Sequence, residues 1–149
     1  MKNKTAIITI FIFLWFLILT AFSDYKGHEV HHWDVTLAGV KLKTEIVLTS
    51  EDQAKGLSGR KSLKDDEGML FVFPQKGRYP FWMKDMNFAI DIIWINEDNK
   101  VIYIQKDAKP DSYPETFGPN EDARYVLEVP SSFSDKNNVK VGDRVEFIH

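Results

Sequence analysis

From Trp33 onward the apolar residues fall at every second position. Trp33, Val35 and Leu37 alternate with polar neighbours, Ala38-Gly39 interrupts, and Val40, Leu42, Thr44, Ile46 and Leu48 resume the alternation. A period of two with a short break is the pattern of a β-hairpin with one buried face. Ser50-Glu51-Asp52-Gln53 has the spacing of a helix capping box, with Ser50 as N-cap and Gln53 answering it. The helix it predicts runs to about Lys55 and ends at Gly56.

The stretch from Gly68 to Asn96 holds three further apolar runs. Met69–Phe73 is continuous and of strand length, and Pro74 with Gln75-Lys76-Gly77 is expected to stop it. Phe81–Lys84 reads as a strand placing Phe81 and Met83 on one face, Trp82 and Lys84 on the other. Phe88–Ile95 reads as the longest strand, with Asp91 on the face of Ala89, Ile93 and Ile95. Glu97–Lys100 is a turn from which Val101–Gln105 pairs back. Lys106–Asp122, with three prolines and Gly118, reads as a long loop, and a loop of that length in a compact domain is usually functional or disordered. Arg124–Val129 is a strand, Pro130-Ser131 opens a short helical or turn segment closed by Asn137-Asn138, and Lys140–Ile148 gives strands around Gly142-Asp143. The expected fold is mainly β: a small single-domain β-barrel-like fold of about seven strands with one or two short helices, closed or partly closed.

The N-terminus changes the picture. Thr5 to Phe22 is uncharged and almost wholly apolar, with Lys2 and Lys4 ahead of it. As a helix at ~1.5 Å per residue it spans ~27 Å, close to a ~30 Å bilayer core. The leading lysines keep the N-terminus inside, so the rest of the chain is expected outside the cytoplasm. The run is long for a signal peptide, yet Ala21-Phe22-Ser23 also offers a small-residue cleavage site before Asp24. Residues 1–23 are therefore a membrane anchor or a signal peptide, residues 24–32 a polar tether, and residues 33–149 one domain, either membrane-anchored or secreted. The 44% hydrophobic content is inflated by this segment.

Charge and composition then exclude several classes of function. The chain carries a net charge of −3, and it is more acidic still once Lys2 and Lys4 are set aside. An acidic surface of interspersed charges argues against nucleic acid as a partner. With no cysteine there is no disulfide framework, lipidated cysteine or thiol nucleophile. His28, His31 and His32 cluster in the tether without convergent partner ligands, which reads as surface and not as a metal site. The Ser elbow G-x-S-x-G, H-E-x-x-H, the P-loop and G-x-G-x-x-G are all missing. Nucleophilic hydrolysis is not expected, nor is a cofactor.

What remains is Asp91. A carboxylate inside an apolar strand costs several kcal/mol unless it is paired and hydrogen-bonded. Arg60 and Lys84 are its possible partners, Arg60 being preferred for bidentate geometry. Two readings stand side by side. One is a clasp in which Arg60 ties its loop to the sheet. The other is a ligand-binding cleft in which Arg60 and Lys84 hold an anion between Trp82 and Trp94, with Glu128, between Leu127 and Val129, facing cleft or solvent. A carboxylate acid/base pair of Asp91 with Glu128 or Glu67 is a further possibility that no spacing selects.

The residues that carry these arguments also resemble a known family. Gly56-Leu57-Ser58-Gly59-Arg60, Gly68-Met69-Leu70-Phe71, Phe81-Trp82-Met83-Lys84, Asp91-Ile92-Ile93, Tyr125-Val126-Leu127-Glu128 and Val141-Gly142-Asp143 are similar in order to domain of unknown function 192, over residues 33 to 148. The resemblance implies a mainly β single domain, often exported or membrane-anchored in prokaryotes, and no established activity. The family's arginine, tryptophan, lysine and aspartate fall on Arg60, Trp82, Lys84 and Asp91. Some relatives carry cysteines in the loop matching Lys106–Asp122. This chain has none, so no redox or metal role is expected of that loop. The functional expectation is a domain outside the cytoplasm that binds a small ligand or an envelope protein, and touches the membrane through residues 5–22 if these are retained. The alternative is an enzyme using Asp91 as acid or base, with Arg60 and Lys84 orienting an anionic substrate.

Overall fold

The structure, a computed structural model, describes residues 31–148. The apolar N-terminal segment, most of the tether, His28 and His149 lie outside the described residues.

The expected hairpin is present as β1 (His32–Leu37) and β2 (Val40–Val47). Ala38 at φ 51° and Gly39 at φ 79° form a two-residue turn with both φ positive, whose twist matches that of the strands it joins. Val35, Leu37 and Leu42 are buried on its inner face. Thr44 shares that face because its hydroxyl donates to the Trp33 carbonyl at 2.8 Å.

A crossover through α1 (Ser50–Lys55) brings β3 (Glu67–Gly77) alongside β2 in parallel. Thr49, one residue earlier than expected, is the N-cap: its Oγ1 accepts from the Asp52 N–H at 3.1 Å. Gln53, freed from the cap, donates to the Val72 carbonyl at 3.2 Å and ties α1 to β3.

Strands β4 (Phe81–Trp82), β5 (Ile90–Ile95), β6 (Val101–Ala108), β7 (Thr116–Phe117), β8 (Ala123–Pro130) and β9 (Val145–Ile148) follow, with α2 (Phe133–Lys136) between the last two. Seven strands form one sheet in the order β6-β5-β8-β3-β2-β1-β9, and β4 pairs only with β7. The large sheet curls into a half-barrel. Its edges meet over a short seam, where Lys100 bridges Arg144, the Val101 N–H donates to Asp143 O at 2.9 Å and the Gly142 N–H to Val101 O at 2.8 Å.

Several boundaries differ from expectation. Pro74 does not end β3, because pairing with β8 shifts between Val72 and Gly77 and leaves room for a residue that cannot donate. That makes β3 the longest strand, while β5 starts at Ile90. Part of the 106–122 loop is structured. It carries the end of β6, a 3-10 turn at Pro110–Ser112, a cis Tyr113–Pro114 bond and β7. At the C-terminus only Val145–Ile148 is a strand.

Strands β3, β8 and β5 are covered on both faces, which is why they read as continuous apolar runs. One set of side chains, including Val35, Leu70, Ile93, Leu127, Val129 and Phe133, fills the interior of the curl. The opposite set, including Met69, Phe71, Ile92, Trp94 and Val126, packs beneath Leu57, Met83 and the β4–β7 pair. Among the described residues no helix is long and apolar enough to cross a membrane.

Candidate functional site

On the face covered by α1 and β4, the sheet is incompletely roofed. Two loops meet over it: the one after α1 and the one from Tyr79 to Asn87. They are clipped together by the Ser58 hydroxyl donating to Lys84 O at 2.9 Å, the Gly59 N–H to Asp85 O at 2.9 Å and Asn87 Nδ2 to Arg60 O at 2.9 Å. Tyr79 is held by a ring stack on Phe73 at 3.5 Å and by Trp94 Nε1, which donates to its carbonyl at 2.8 Å. Phe81 stands edge-on to Phe71 at 4.8 Å and to Trp94 at 5.7 Å.

Between these loops lies a cleft of about 210 Å³, walled by Leu57, Phe71, Phe73, Tyr79, Phe81 and Trp82, with Glu128 among its lining residues. Trp82 is half exposed and meets Tyr113 edge-on at 6.4 Å. Gly56 turns the chain here at φ 48°. A Cβ on it would lie 3.2 Å from Phe71 Cζ and 3.9 Å from Glu128 Oε2, so the backbone itself passes close to the carboxyl.

Glu128 is only 5% exposed. Its cross-strand partners are Met69 and Ile92, both apolar, and its Oε2 has no hydrogen-bond partner. Burial pushes the carboxyl up to about 8, with the Arg60 guanidinium pulling the other way. At neutral pH it is therefore mostly a neutral acid.

The expected site residues separate. Trp82 and Glu128 line the cleft, whereas Arg60, Lys84 and Asp91 do not. Arg60 bonds Glu45 at 2.6 Å and not Asp91. Lys84 is exposed. Asp91 is fully buried, and its carboxylate accepts three backbone N–H groups: Asp107 at 2.9 Å, Ser132 at 3.2 Å and Ser134 at 2.8 Å. Neither the Arg60–Asp91 clasp nor an Asp91-floored cleft is thus formed. Three N–H donors compensate the buried charge instead of a guanidinium. Asp107 and Ser132 both have positive φ, so this carboxylate pins two unusual turns and the start of α2. Glu67, the other carboxylate considered, pairs with Lys64 at 2.6 Å, which holds it below the usual carboxylate range.

Leu57, Phe71 and Phe73 belong to the buried core and, together with Tyr79, also wall the cleft. The clustering of aromatic residues between Phe71 and Trp82 was the only signal for them. No group of three His, Cys, Asp or Glu side chains suited to a metal occurs among the described residues.

The model of domain of unknown function 192, described as "Uncharacterized ACR", matches residues 33–147. The chain belongs to this family. Two solved structures share its fold. One, from Novosphingobium aromaticivorans DSM 12444, is a protein of unknown function, 30% identical, with TM-score 0.73, covering 83% of this chain and 89% of its own. The other, from Sinorhizobium meliloti 1021, is titled a candidate transcription regulator; it is 26% identical with TM-score 0.75, covering 79% of this chain and 95% of its own. The chain has no match among curated proteins.

Proposed function

We propose that this member of the family is a binding domain that works outside the cytoplasm, carried there by residues 5–22 and either tethered through them or released by cleavage. The observation that carries the binding role is the aromatic cleft with a buried, unpartnered carboxyl among its lining residues. Burying a polar group without a partner costs stability, so a fold that retains one beside a cleft is suited to having a ligand supply the partner. The occupant is a small molecule or a side chain of another envelope protein. The net charge of −3 supports no nucleic-acid partner, so the regulatory title of the Sinorhizobium protein is not extended to this chain. Asp91 as a catalytic acid or base finds no support, because its carboxylate is fully buried and bonded three times.

The test is thermal unfolding of the full-length chain against a panel of metabolites, amides and short peptides. A ligand present at ~100 times its dissociation constant adds ~2.7 kcal/mol. Trp82→Ala, at a half-exposed position, should remove that shift while unfolding normally without ligand, and Lys84→Ala should leave it intact. A shift that survives Trp82→Ala, or the lack of any shift across the panel, would count against the cleft.

A further inference from the structure

The chemistry of the cleft narrows what it can hold, given the binding role proposed above. Glu128 reaches it from the centre of the sheet, between apolar Met69 and Ile92, and none of its oxygens has a salt-bridge partner among the described residues. A carboxyl in that setting is neutral. A neutral carboxyl shows one O–H donor and one carbonyl acceptor side by side. The walls add aromatic and aliphatic surface, and the volume, about 210 Å³, suits one ring with one small polar group.

We propose that the cleft takes an uncharged ligand bearing a ring or compact alkyl group and an amide. The apolar part lies against Phe81 and Trp82, and the amide carbonyl accepts the Glu128 O–H. A primary or cis secondary amide also offers an N–H to the carboxyl's other oxygen, so both polar atoms are matched at once. No bond is made or broken, and the proton stays on Glu128.

Charged ligands fit less well. An ammonium ion would require Glu128 to ionise among apolar neighbours, and it would add positive charge near Lys55, which lines the cleft, and Arg60, which acts on Glu128. Arg60 is itself held by Glu45. Tyr79 is the other titratable side chain on the lining. An anion would lose its hydration on entering an apolar cleft. The raised proton affinity of Glu128 agrees with this assignment, since the acid keeps its proton up to about pH 8.

Three probes of similar size separate the possibilities: benzamide, benzylammonium and benzoate, titrated into the full-length chain and followed by NMR. Benzamide should perturb the Trp82 indole at about pH 6, and its affinity should fall roughly tenfold by about pH 9 as Glu128 loses its proton. Glu128→Gln, which keeps a donor and an acceptor, should bind benzamide without that pH dependence, its spectrum reporting that the fold is intact. Tighter binding of benzylammonium that strengthens with pH, or preferential binding of benzoate, would overturn the ligand class while leaving the cleft a binding site. Failure of all three probes also overturns it. If the broad panel gives no shift either, the binding role falls with it.

Discussion

Asp91 and Glu128 sit one register step apart on neighbouring strands and point to opposite faces of the sheet. Asp91 pairs with Val129 and Ile92 with Glu128. Strand alternation sends the aspartate into the interior of the curl and the glutamate toward the cleft. Both are buried carboxyls, and their surroundings give them opposite roles. Asp91 accepts three backbone N–H groups and serves as a structural anchor, whereas Glu128 has no hydrogen-bond partner at Oε2 and becomes a neutral acid. The arrangement rules out an acid/base pair formed by the two.

Asp91→Asn should be strongly destabilising. The amide can still accept at one atom, but its NH2 group faces N–H donors and leaves at least one of them unpaired. The expected loss is about 2–4 kcal/mol, read from the urea midpoint. A loss below about 0.5 kcal/mol would show that the carboxylate does not hold α2 and the Asp107 turn.

Glu128 should make stability fall as pH rises. The folded carboxyl titrates at about 8 against an ordinary value of 4.5. Below about 4.5 both states are protonated. Between about 4.5 and 8 the unfolded chain releases a proton that the folded chain keeps, so unfolding is favoured by ~1.4 kcal/mol per pH unit. Glu128→Gln should lack this slope and exceed the parent in stability at alkaline pH. Parallel pH profiles for the two proteins would refute the assignment.

Arg60→Ala should be mild. Its bond to Glu45 joins side chains 39% and 25% exposed, and pairs of that kind contribute about 0–1 kcal/mol. Thermal melts should show a folded, cooperative protein. Loss of the fold would instead mean that the Arg60–Glu45 bond is needed to hold the loop after α1 to the sheet.

Export can be read separately. A reporter enzyme active only outside the cytoplasm, fused to the C-terminus, should be active, and deleting residues 5–22 should silence it. Activity unaffected by the deletion would remove the role given to that segment.

How much of this was legible in the chain depends on the range of each interaction. The β1–β2 hairpin, α1 and the run of short strands follow from period-two patterning and turn residues, which act over a few positions. Asp91 could be singled out because a charge in an apolar strand needs compensation wherever the chain goes. Its partners could not be named, because they are backbone N–H groups at Asp107, Ser132 and Ser134, and any residue supplies such a donor. Glu128 flanked by Leu127 and Val129 left its facing undecided. Only the pairing of β8 between β3 and β5 turns it to the cleft side, and only the meeting of two loops leaves space above it. The sequence by itself determined the strand content and the family, since these rest on local pattern and composition. The cleft, the neutral state of Glu128 and the pairing of Arg60 with Glu45 were decided by tertiary structure, because each depends on which distant segments exclude water together.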